Sequence, residues 1–273
     1  MNVELDDIDK ALERLQLRLQ ALACENRLSI AYSGGLDSRF LAFYAVRCGF
    51  EVELLHACAA HVSVTETQQA LRKALEIGLP VRLVKPRLPS PQELAQVGRQ
   101  RCYVCKRAIF SELKHQACAP LCDGSNASDA RVFRPGSRAI KELGVHTPLA
   151  DAGLEKSMIR TAAARLGLSD PQQPARPCLM TRFDYGDAPD ERRLLLTQKA
   201  EDYLEAMPEL AAGFRLRWLG EKALLHVSAD NALTMQELQA IVARLGEHLP
   251  ALKGISVEVM NDLSGWFDRR TSA

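Results

Sequence analysis

The stretch that decides the fold is Leu28-Ser29-Ile30-Ala31-Tyr32-Ser33-Gly34-Gly35-Leu36-Asp37-Ser38. Its first five residues have the apolar character of a buried strand, and Gly34 and Gly35 permit the positive φ of a tight turn into a helix. Such a turn directs free backbone N–H groups to one point, where an anion is favoured. Ser33 and Ser38 add hydroxyl donors, and Asp37 is a suitable Mg²⁺ ligand. Together these residues predict a binding site for the phosphates of a nucleotide.

The loop differs from a Walker A motif because no Gly-Lys-Ser/Thr follows the glycines. Taken alone, it also fits an ordinary strand–turn–helix built from small residues. The flanking pattern favours the first interpretation. Strands predicted at 28–32, 51–57, 81–84 and 120–122 alternate with helices predicted at 38–48, 65–77 and 102–117. This order predicts an α/β fold, a parallel sheet with helices on both faces.

Ligands of parallel sheets bind at the carboxyl ends of the strands, and two motifs fall there. One is the loop at 33–38. The other is Asp123-Gly124-Ser125-Asn126, which follows the strand predicted at 120–122. We therefore expect Asp123 and Gly124 to join Ser33, Gly34, Gly35, Asp37 and Ser38 at one nucleotide site.

The second half of the chain has a different pattern. A helix is predicted at 155–166, a proline-rich loop at 171–177 and a helix at 190–207. Strands at 214–218, 223–227 and 255–259, with a helix at 234–245, then predict a small α+β unit. We predict a nucleotide-binding domain over 1–187 and a small α+β domain, for substrate binding or oligomerisation, over 188–273.

Composition limits the class of protein. With 35 basic and 34 acidic residues, the formal charge is +1, which predicts no general attraction to nucleic acid or an anionic membrane. No apolar run approaches the ~20 residues that span a bilayer. The first ten residues are acidic and lack the apolar core of a signal peptide, so we expect a cytoplasmic protein. Its eight cysteines are then expected to be reduced.

Two cysteines stand one helical turn apart in Arg101-Cys102-Tyr103-Val104-Cys105-Lys106. This spacing suits a shared metal or cluster, and a thioredoxin-like redox pair is the competing interpretation. Cys178, in Arg176-Pro177-Cys178-Leu179, is a third candidate ligand. Three cysteines suit an iron–sulfur cluster with one open iron, or a zinc ion that needs a fourth ligand. We expect the other five cysteines in the core: Cys24, Cys48, Cys58, Cys118 and Cys122.

The segment 97–116 has five basic residues and one acidic residue, in a chain that is nearly neutral. Such a patch, which includes Lys106, lowers thiol pKa values and attracts phosphates. The alternative is a solvated helix face.

Seven motifs follow one another along residues 28–186. They are Ala31-Tyr32-Ser33-Gly34-Gly35-Leu36-Asp37-Ser38, Arg101-Cys102-Tyr103-Val104-Cys105-Lys106, Asp123-Gly124-Ser125-Asn126, Arg134-Pro135-Gly136, Glu142-Leu143-Gly144-Val145-His146-Thr147-Pro148-Leu149, Ile159-Arg160, and Pro177-Cys178-Leu179-Met180-Thr181-Arg182-Phe183-Asp184-Tyr185-Gly186. The ordered series resembles the LarE-type ATP-dependent sulfur transferases of the PP-loop superfamily. Met180-Thr181 replaces the family's more usual Ala-Ser.

The resemblance implies a PP-loop fold (adenine nucleotide alpha hydrolase-like) and a defined reaction. LarE-like enzymes adenylate a carboxylate of a pyridinium mononucleotide with MgATP and release pyrophosphate. Sulfur then displaces AMP to give a thiocarboxylate, in nickel-pincer nucleotide cofactor biosynthesis. The resemblance also implies a homo-oligomer that uses sulfide or another sulfur donor.

The resemblance further implies roles for individual residues. Cys178 matches the sulfur-donor position. Some family members sacrifice the sulfur of that cysteine, whereas others hold a 4Fe–4S cluster with three cysteines, here Cys102, Cys105 and Cys178. Arg215 and Arg217, on one face of a predicted strand, resemble the pair that binds the substrate phosphate. Two solvated strand arginines are the alternative. Lys106 and Arg182 are further candidate anion ligands.

Three other functions compete with this one. The first is thiolation of tRNA, which the near-zero charge and the lack of a recognisable RNA-binding appendage disfavour. The second is an ammonia-using amidating synthetase, which would not need the three cysteines. The third is a non-catalytic nucleotide-binding protein with a structural zinc ion. A PP-loop fold alone would not choose among them.

Overall fold

The structure is a computed structural model that describes residues 2–59, 61–131 and 135–270. Arg134 of the Arg134-Pro135-Gly136 motif lies outside these described residues. Judged by internal contacts, the chain forms two compact units, one of residues 1–89 and 99–176 and one of residues 90–98 and 177–273. The boundary after residue 187 stays a prediction.

The described residues form seven strands and eleven α-helices. The strands are β1 (Arg27–Ala31), β2 (Glu51–Ala57), β3 (Val81–Val84), β4 (Leu121–Asp123), β5 (Phe214–Leu219), β6 (Lys222–Ser228) and β7 (Ser256–Met260). The helices are α1 (Asn2–Leu22), α2 (Leu36–Arg47), α3 (Val64–Glu76), α4 (Pro91–Gln96), α5 (Arg101–Gln116), α6 (Pro135–Glu142), α7 (Pro148–Asp151), α8 (Lys156–Leu166), α9 (Glu191–Glu205), α10 (Met235–His248) and α11 (Trp266–Arg270).

The first unit contains a four-stranded sheet in the order β3-β2-β1-β4, and every pairing in it is parallel. The chain moves from β1 to β2 to β3 on one side and then returns to place β4 on the other side of β1. The strand order therefore reverses between β1 and β4. In open parallel sheets, ligands bind in the crevice outside the carboxyl ends of the strands at this switch point.

Helices cover both faces of this sheet because successive strand residues point to opposite sides. Leu28 and Ile30 of β1 belong to one apolar cluster, together with buried residues of α1, α2, α3 and α8. Ala31 belongs to a second cluster, together with buried residues of α5 and α6. The predicted α/β class and the parallel sheet flanked by helices are confirmed.

The second unit contains a three-stranded sheet in the order β5-β6-β7. β5 and β6 form an antiparallel hairpin whose turn includes Gly220 at φ +59°, and β7 pairs parallel to β6 after the crossover through α10. Trp218 is buried and donates its indole N–H to Thr197 Oγ1 over 2.8 Å. The predicted small sheet in this part of the chain is confirmed.

Several predicted details differ from the structure. α2 begins at Leu36 rather than Ser38, because Gly35 takes the extended N-cap conformation. The short helix α4, between β3 and α5, is not among the predicted helices; Ser90 and Glu93 form a reciprocal capping box at its start.

The prediction of five core cysteines was wrong for Cys24 and Cys118, which are exposed. Cys24 starts the turn between α1 and β1, in which Glu25 and Asn26 both have positive φ, and Cys118 lies in the bend before β4. Turns run over the surface, where a small apolar side chain has no core to enter. Among the described residues, no helix is long and apolar enough to cross a membrane.

Candidate functional site

The glycine-rich loop lies at the carboxyl end of β1, on the side where the strand order reverses. The Ser38 hydroxyl donates to the Gly35 carbonyl over 3.1 Å, and the Ser33 and Ser38 hydroxyl oxygens are 3.1 Å apart. The backbone N–H of Ser33 and that of Gly35 donate to the Ser38 and Ser33 hydroxyls, respectively, each over 3.3 Å. The loop is therefore closed by its own hydroxyls, which an anionic ligand at these donors would have to replace.

Two glycines are required by the packing of this loop. Gly34 has φ +78°, and a Cβ there would lie 2.5 Å from the Cβ of Ala70 in α3. A Cβ on Gly124 would lie 2.8 Å from the backbone nitrogen of Ser38. The close backbone approach at Gly124 brings the segment after β4 against the first turn of α2. The structure thus brings together the predicted residues of the β1 loop and those that follow β4.

The carboxylate of Asp37 is held by Lys156, the first residue of α8. The Lys156 ammonium is 2.8 Å from both carboxylate oxygens of Asp37, and both side chains are about three-quarters buried. Burial raises the pKa of Asp37, while Lys156 opposes that rise. The predicted Mg²⁺ ligand is therefore paired with a cation that a metal ion would displace.

Polar side chains shape the end of β4 and the segment that follows it. Asp123 accepts hydrogen bonds from the backbone N–H of Ser125 over 2.7 Å and from the Ser125 hydroxyl. Asn126 accepts from the Ser128 N–H over 2.9 Å, and the Ser128 hydroxyl accepts from the N–H of Lys156 over 3.1 Å. Asp123 thus stabilises the turn after β4. The Ser128 hydroxyl in the same segment holds the start of α8 beside Asp37.

The two neighbouring cysteines lie on α5 of the first unit. Cys102 is half-buried, whereas Cys105 is buried with its sulfur 3.5 Å from His61 Nε2. Burial, and secondly the neighbouring Cys102 sulfur, raises the pKa of the Cys105 thiol to about 11. Burial, together with the Arg101 guanidinium, lowers the pKa of His61 to about 4. Without a metal ion, a neutral thiol therefore faces a neutral imidazole.

Cys178 belongs to the second unit, where it caps a short 3-10 turn at Leu179–Arg182. Its half-buried sulfur accepts from the Met180 N–H over 3.4 Å, and its carbonyl accepts from the Thr181 hydroxyl over 2.8 Å. Among the described residues, no three side chains of His, Cys, Asp or Glu are grouped closely enough to hold a metal ion. A cluster would require all three thiolates at one position.

The candidate anion ligands occupy different environments. The stem of Lys106 passes where a Cβ on Gly136 would stand, 2.5 Å from Lys106 Cδ, and its ammonium lies 5.8 Å from the Phe110 ring centroid. Arg182 is buried and donates to both carboxylate oxygens of Glu201, each over 2.7 Å. Its guanidinium is therefore already neutralised within the second unit.

Arg217 of β5 is buried, and its guanidinium lies 5.3 Å from the ring centroid of Trp266 and donates to the Leu263 carbonyl. Burial, and then the charges of Arg182 and Arg215, lowers the pKa of Arg217 to about 10. Arg182, Arg215 and Arg269 therefore all repel the Arg217 guanidinium electrostatically, and the carboxylate of Glu201 attracts it.

Sequence reasoning missed Lys156 and His61. Lys156 is 119 positions from Asp37, and no spacing rule connects two residues across that distance. His61 is 44 positions from Cys105, and its only sequence signal was its place after the second strand. His56, which lies at the end of β2, has both ring nitrogens engaged, with the Tyr32 carbonyl and the Thr67 hydroxyl.

The fold and the site first define a class, an α/β protein with a glycine-rich loop at the switch point of a parallel sheet. No family model matches the chain. Over 187 residues, which are 67% of this chain and 70% of the relative, it is 33% identical to the uncharacterized protein slr1717 of Synechocystis sp.. The chain belongs to the same family as that protein.

Two other relatives are more distant. The uncharacterized protein MJ0830 of Methanocaldococcus jannaschii is 24% identical over 243 residues, 88% of this chain and 92% of that protein. The pyridinium-3,5-bisthiocarboxylic acid mononucleotide synthase of Lactiplantibacillus plantarum is 27% identical over 193 residues, 68% of this chain and 70% of the synthase. The last likeness gives a weak family link to a LarE-type protein.

Proposed function

We propose that the chain is a PP-loop enzyme that uses ATP to replace a carboxylate oxygen of a pyridinium mononucleotide by sulfur, with AMP and pyrophosphate as by-products. The observation that carries the proposal is the glycine-rich loop at the switch point. Its own hydroxyls close it, and Asp37 follows it in the first turn of α2. The name of the relative in Lactiplantibacillus plantarum supplies the acceptor class. Nickel-pincer cofactor biosynthesis is the role that follows from this acceptor.

The first half-reaction is adenylation. A carboxylate oxygen of the acceptor attacks the α-phosphorus of ATP, and the bond to the bridging oxygen breaks to release pyrophosphate. The N–H groups and hydroxyls of the loop hold the leaving pyrophosphate. Asp37 would hold Mg²⁺ in place of Lys156, and the Lys156 ammonium would then add a second positive charge beside the phosphates. Asp123 and Gly124 keep the opposite wall of the crevice in place.

The second half-reaction is sulfur transfer. A sulfide sulfur attacks the carbonyl carbon of the acyl-adenylate, and AMP leaves with the electron pair of the broken C–O bond. We assign Cys178, Cys102 and Cys105 to this step. Their donor set fits an iron–sulfur cluster, since all three are free thiols and two stand one helical turn apart. When bound by three cysteines, a 4Fe–4S cluster offers one iron that is free to carry sulfide.

The phosphate of the acceptor needs cationic ligands. We propose Arg215 and Arg217 for this role, with Lys106 and Arg182 as further contacts. A guanidinium binds phosphate through two parallel hydrogen bonds, which fixes the orientation of the acceptor as well as its charge. Arg182 can contribute less to phosphate binding, because its Nε and Nη2 already donate to the carboxylate of Glu201.

Pyrophosphate release tests the substrate class. The protein is incubated with MgATP and, in separate reactions, with a carboxylated pyridinium mononucleotide, with bulk tRNA, or with an amidation acceptor plus ammonia. We expect release only with the mononucleotide. Release that depends on tRNA or ammonia would favour the corresponding competing function, and no release with any acceptor would favour a non-catalytic nucleotide-binding protein.

Iron analysis tests the cysteine assignment separately. After anaerobic purification we expect about four irons and equivalent sulfide per chain, with a visible absorbance band. Cys178→Ala should lose this iron, whereas Cys118→Ala, which alters an exposed cysteine before β4, should retain it. Zinc in place of iron, or equal loss in both variants, would contradict the cluster.

A further inference from the structure

Arg39 is a fully buried arginine next to the glycine-rich loop. It follows Ser38 in α2, and its side chain is inaccessible to solvent. Its Nη1 donates to the amide oxygen of Gln173 over 2.6 Å, and its Nη2 donates to the carbonyl and hydroxyl oxygens of Ser169, over 2.6 and 2.9 Å. A buried charge is costly unless it is hydrogen-bonded, so these contacts hold the segment 169–173 at a defined position.

Gln173 connects this arginine to the loop. Its amide nitrogen donates to the Gly34 carbonyl over 3.1 Å. The orientation of the amide is fixed chemically, because a guanidinium has only donors and must face the amide oxygen. The NH₂ group is thereby directed at Gly34.

The contact with Gly34 determines where the next N–H points. In a trans peptide the N–H lies opposite the C=O of the same unit. Fixing the Gly34 carbonyl on Gln173 therefore directs the Gly35 N–H to the other side, where it donates to Ser33 Oγ over 3.3 Å. A glycine at φ +78° can rotate this peptide at little steric cost, so the orientation needs an outside constraint.

The segment 169–173 also makes two contacts with α3. The Ser169 hydroxyl donates to Glu76 of α3, and Asp170 lies 3.8 Å from the Lys73 ammonium. These contacts anchor the segment without touching the glycine-rich loop. They supply a matched control for the contact that does.

We propose that Arg39 and Gln173 are positioning residues, which lock the Gly34–Gly35 peptide so that the Gly35 N–H is presented to the phosphates of the nucleotide. This inference rests on the proposed function for the identity of the ligand. It adds two residues that neither the loop motif nor its position in the sheet would assign to the site. Their effect is exerted through the backbone of Gly34, without contact with the nucleotide.

Gln173→Glu removes the hydrogen bond to the Gly34 carbonyl and keeps the contact with Arg39. The new carboxylate still pairs with Arg39 but cannot donate to the Gly34 carbonyl, and it places oxygen against oxygen. Gln173→Met, which removes both contacts, is the second variant. Asp170→Asn is the control, because it weakens the Lys73 contact and keeps a residue that tolerates the positive φ at this position.

Titration calorimetry measures the affinity for MgATP. Hydrogen exchange in the free protein measures how firmly the backbone amides of residues 33–36 are held. Gln173→Glu should bind MgATP about tenfold more weakly than wild type, as expected for a lost hydrogen bond to an oriented group. Its Gly35 amide should exchange faster. Asp170→Asn should match wild type within about twofold, since exposed ion pairs contribute little.

Unchanged MgATP affinity and unchanged Gly35 exchange in Gln173→Glu would overturn the inference. An equal loss in Asp170→Asn would also overturn it, because the effect would then belong to the segment as a whole. If wild type does not bind MgATP, the proposed function fails, and amide exchange in the free protein alone decides whether Gln173 holds the loop.

Discussion

The carboxylate of Asp37, which follows the glycine-rich loop, is paired with Lys156. Lys156 occupies both oxygens of a carboxylate whose pKa is raised by burial. The ammonium balances the charge of this carboxylate, and under the proposed function Mg²⁺ would take its place as the partner of Asp37. A lysine rather than a neutral donor is needed, since a buried carboxylate without a counter-charge would take up a proton.

Lys156→Met should therefore make stability depend more steeply on pH. Because the folded-state pKa of Asp37 is raised, the folded protein retains a proton that the unfolded chain releases, and the free energy of unfolding falls as pH rises above the ordinary value of 3.8. Loss of Lys156 raises the pKa of Asp37 further, so the free energy of unfolding falls over a wider range of pH. Urea unfolding at several pH values measures the effect. Lys156→Met/Asp37→Asn should abolish the contribution of this group to the slope, because an asparagine does not titrate, and an unchanged slope in Lys156→Met would contradict the pairing.

The packing of the segment after β4 against α2 requires a glycine at position 124. Gly124→Ala places a Cβ against the backbone of Ser38, which cannot move aside as a side chain would. We expect a loss of about 1–3 kcal/mol in the free energy of unfolding, as for an overpacked core. Gly186→Ala is the control, because a Cβ there meets nothing within 4 Å. Equal stability of the two variants would show that the β4 segment does not approach α2 this closely.

At the scale of elements, α5 presents its two cysteines unequally. The helix buries Cys105 beside His61 and leaves Cys102 partly accessible. In protein without metal, Cys102 should be alkylated well before Cys105, since both burial and a raised thiol pKa reduce the thiolate available to react. Peptide mass spectrometry over a time course measures the order. Cys105 reacting first would contradict this placement of α5.

The type of an element was predictable where the hydrophobic period agreed with the glycines and prolines that end helices and strands. The run 28–32, the glycine pair and the apolar residues of the following helix carried enough local signal to predict β1, its loop and α2. The short helices α4 and α7 were not predicted, because a few residues show no period. The exposure of Cys24 depended on two positive φ angles in a turn, which composition does not reveal.

At the scale of the whole molecule, the order of strands was beyond sequence reasoning. Alternating strands and helices predict a parallel sheet, but they do not state that β4 lies beside β1 on the side away from β2. That order creates the switch point and brings Gly124 to Ser38. The contacts of Lys156 with Asp37 and of Gln173 with Gly34 also join distant segments, so they follow from the tertiary fold alone.

The most direct test of the account is the fate of labelled sulfur. The anaerobic protein is given MgATP, the carboxylated pyridinium mononucleotide and isotopically labelled sulfide, and both product and protein are weighed by mass spectrometry after several turnovers. We predict a labelled thiocarboxylate, AMP and pyrophosphate, with the mass of the Cys178 peptide unchanged. Unlabelled product with loss of the Cys178 sulfur would contradict the cluster route, and pyrophosphate release without sulfur in the product would contradict the proposed function itself.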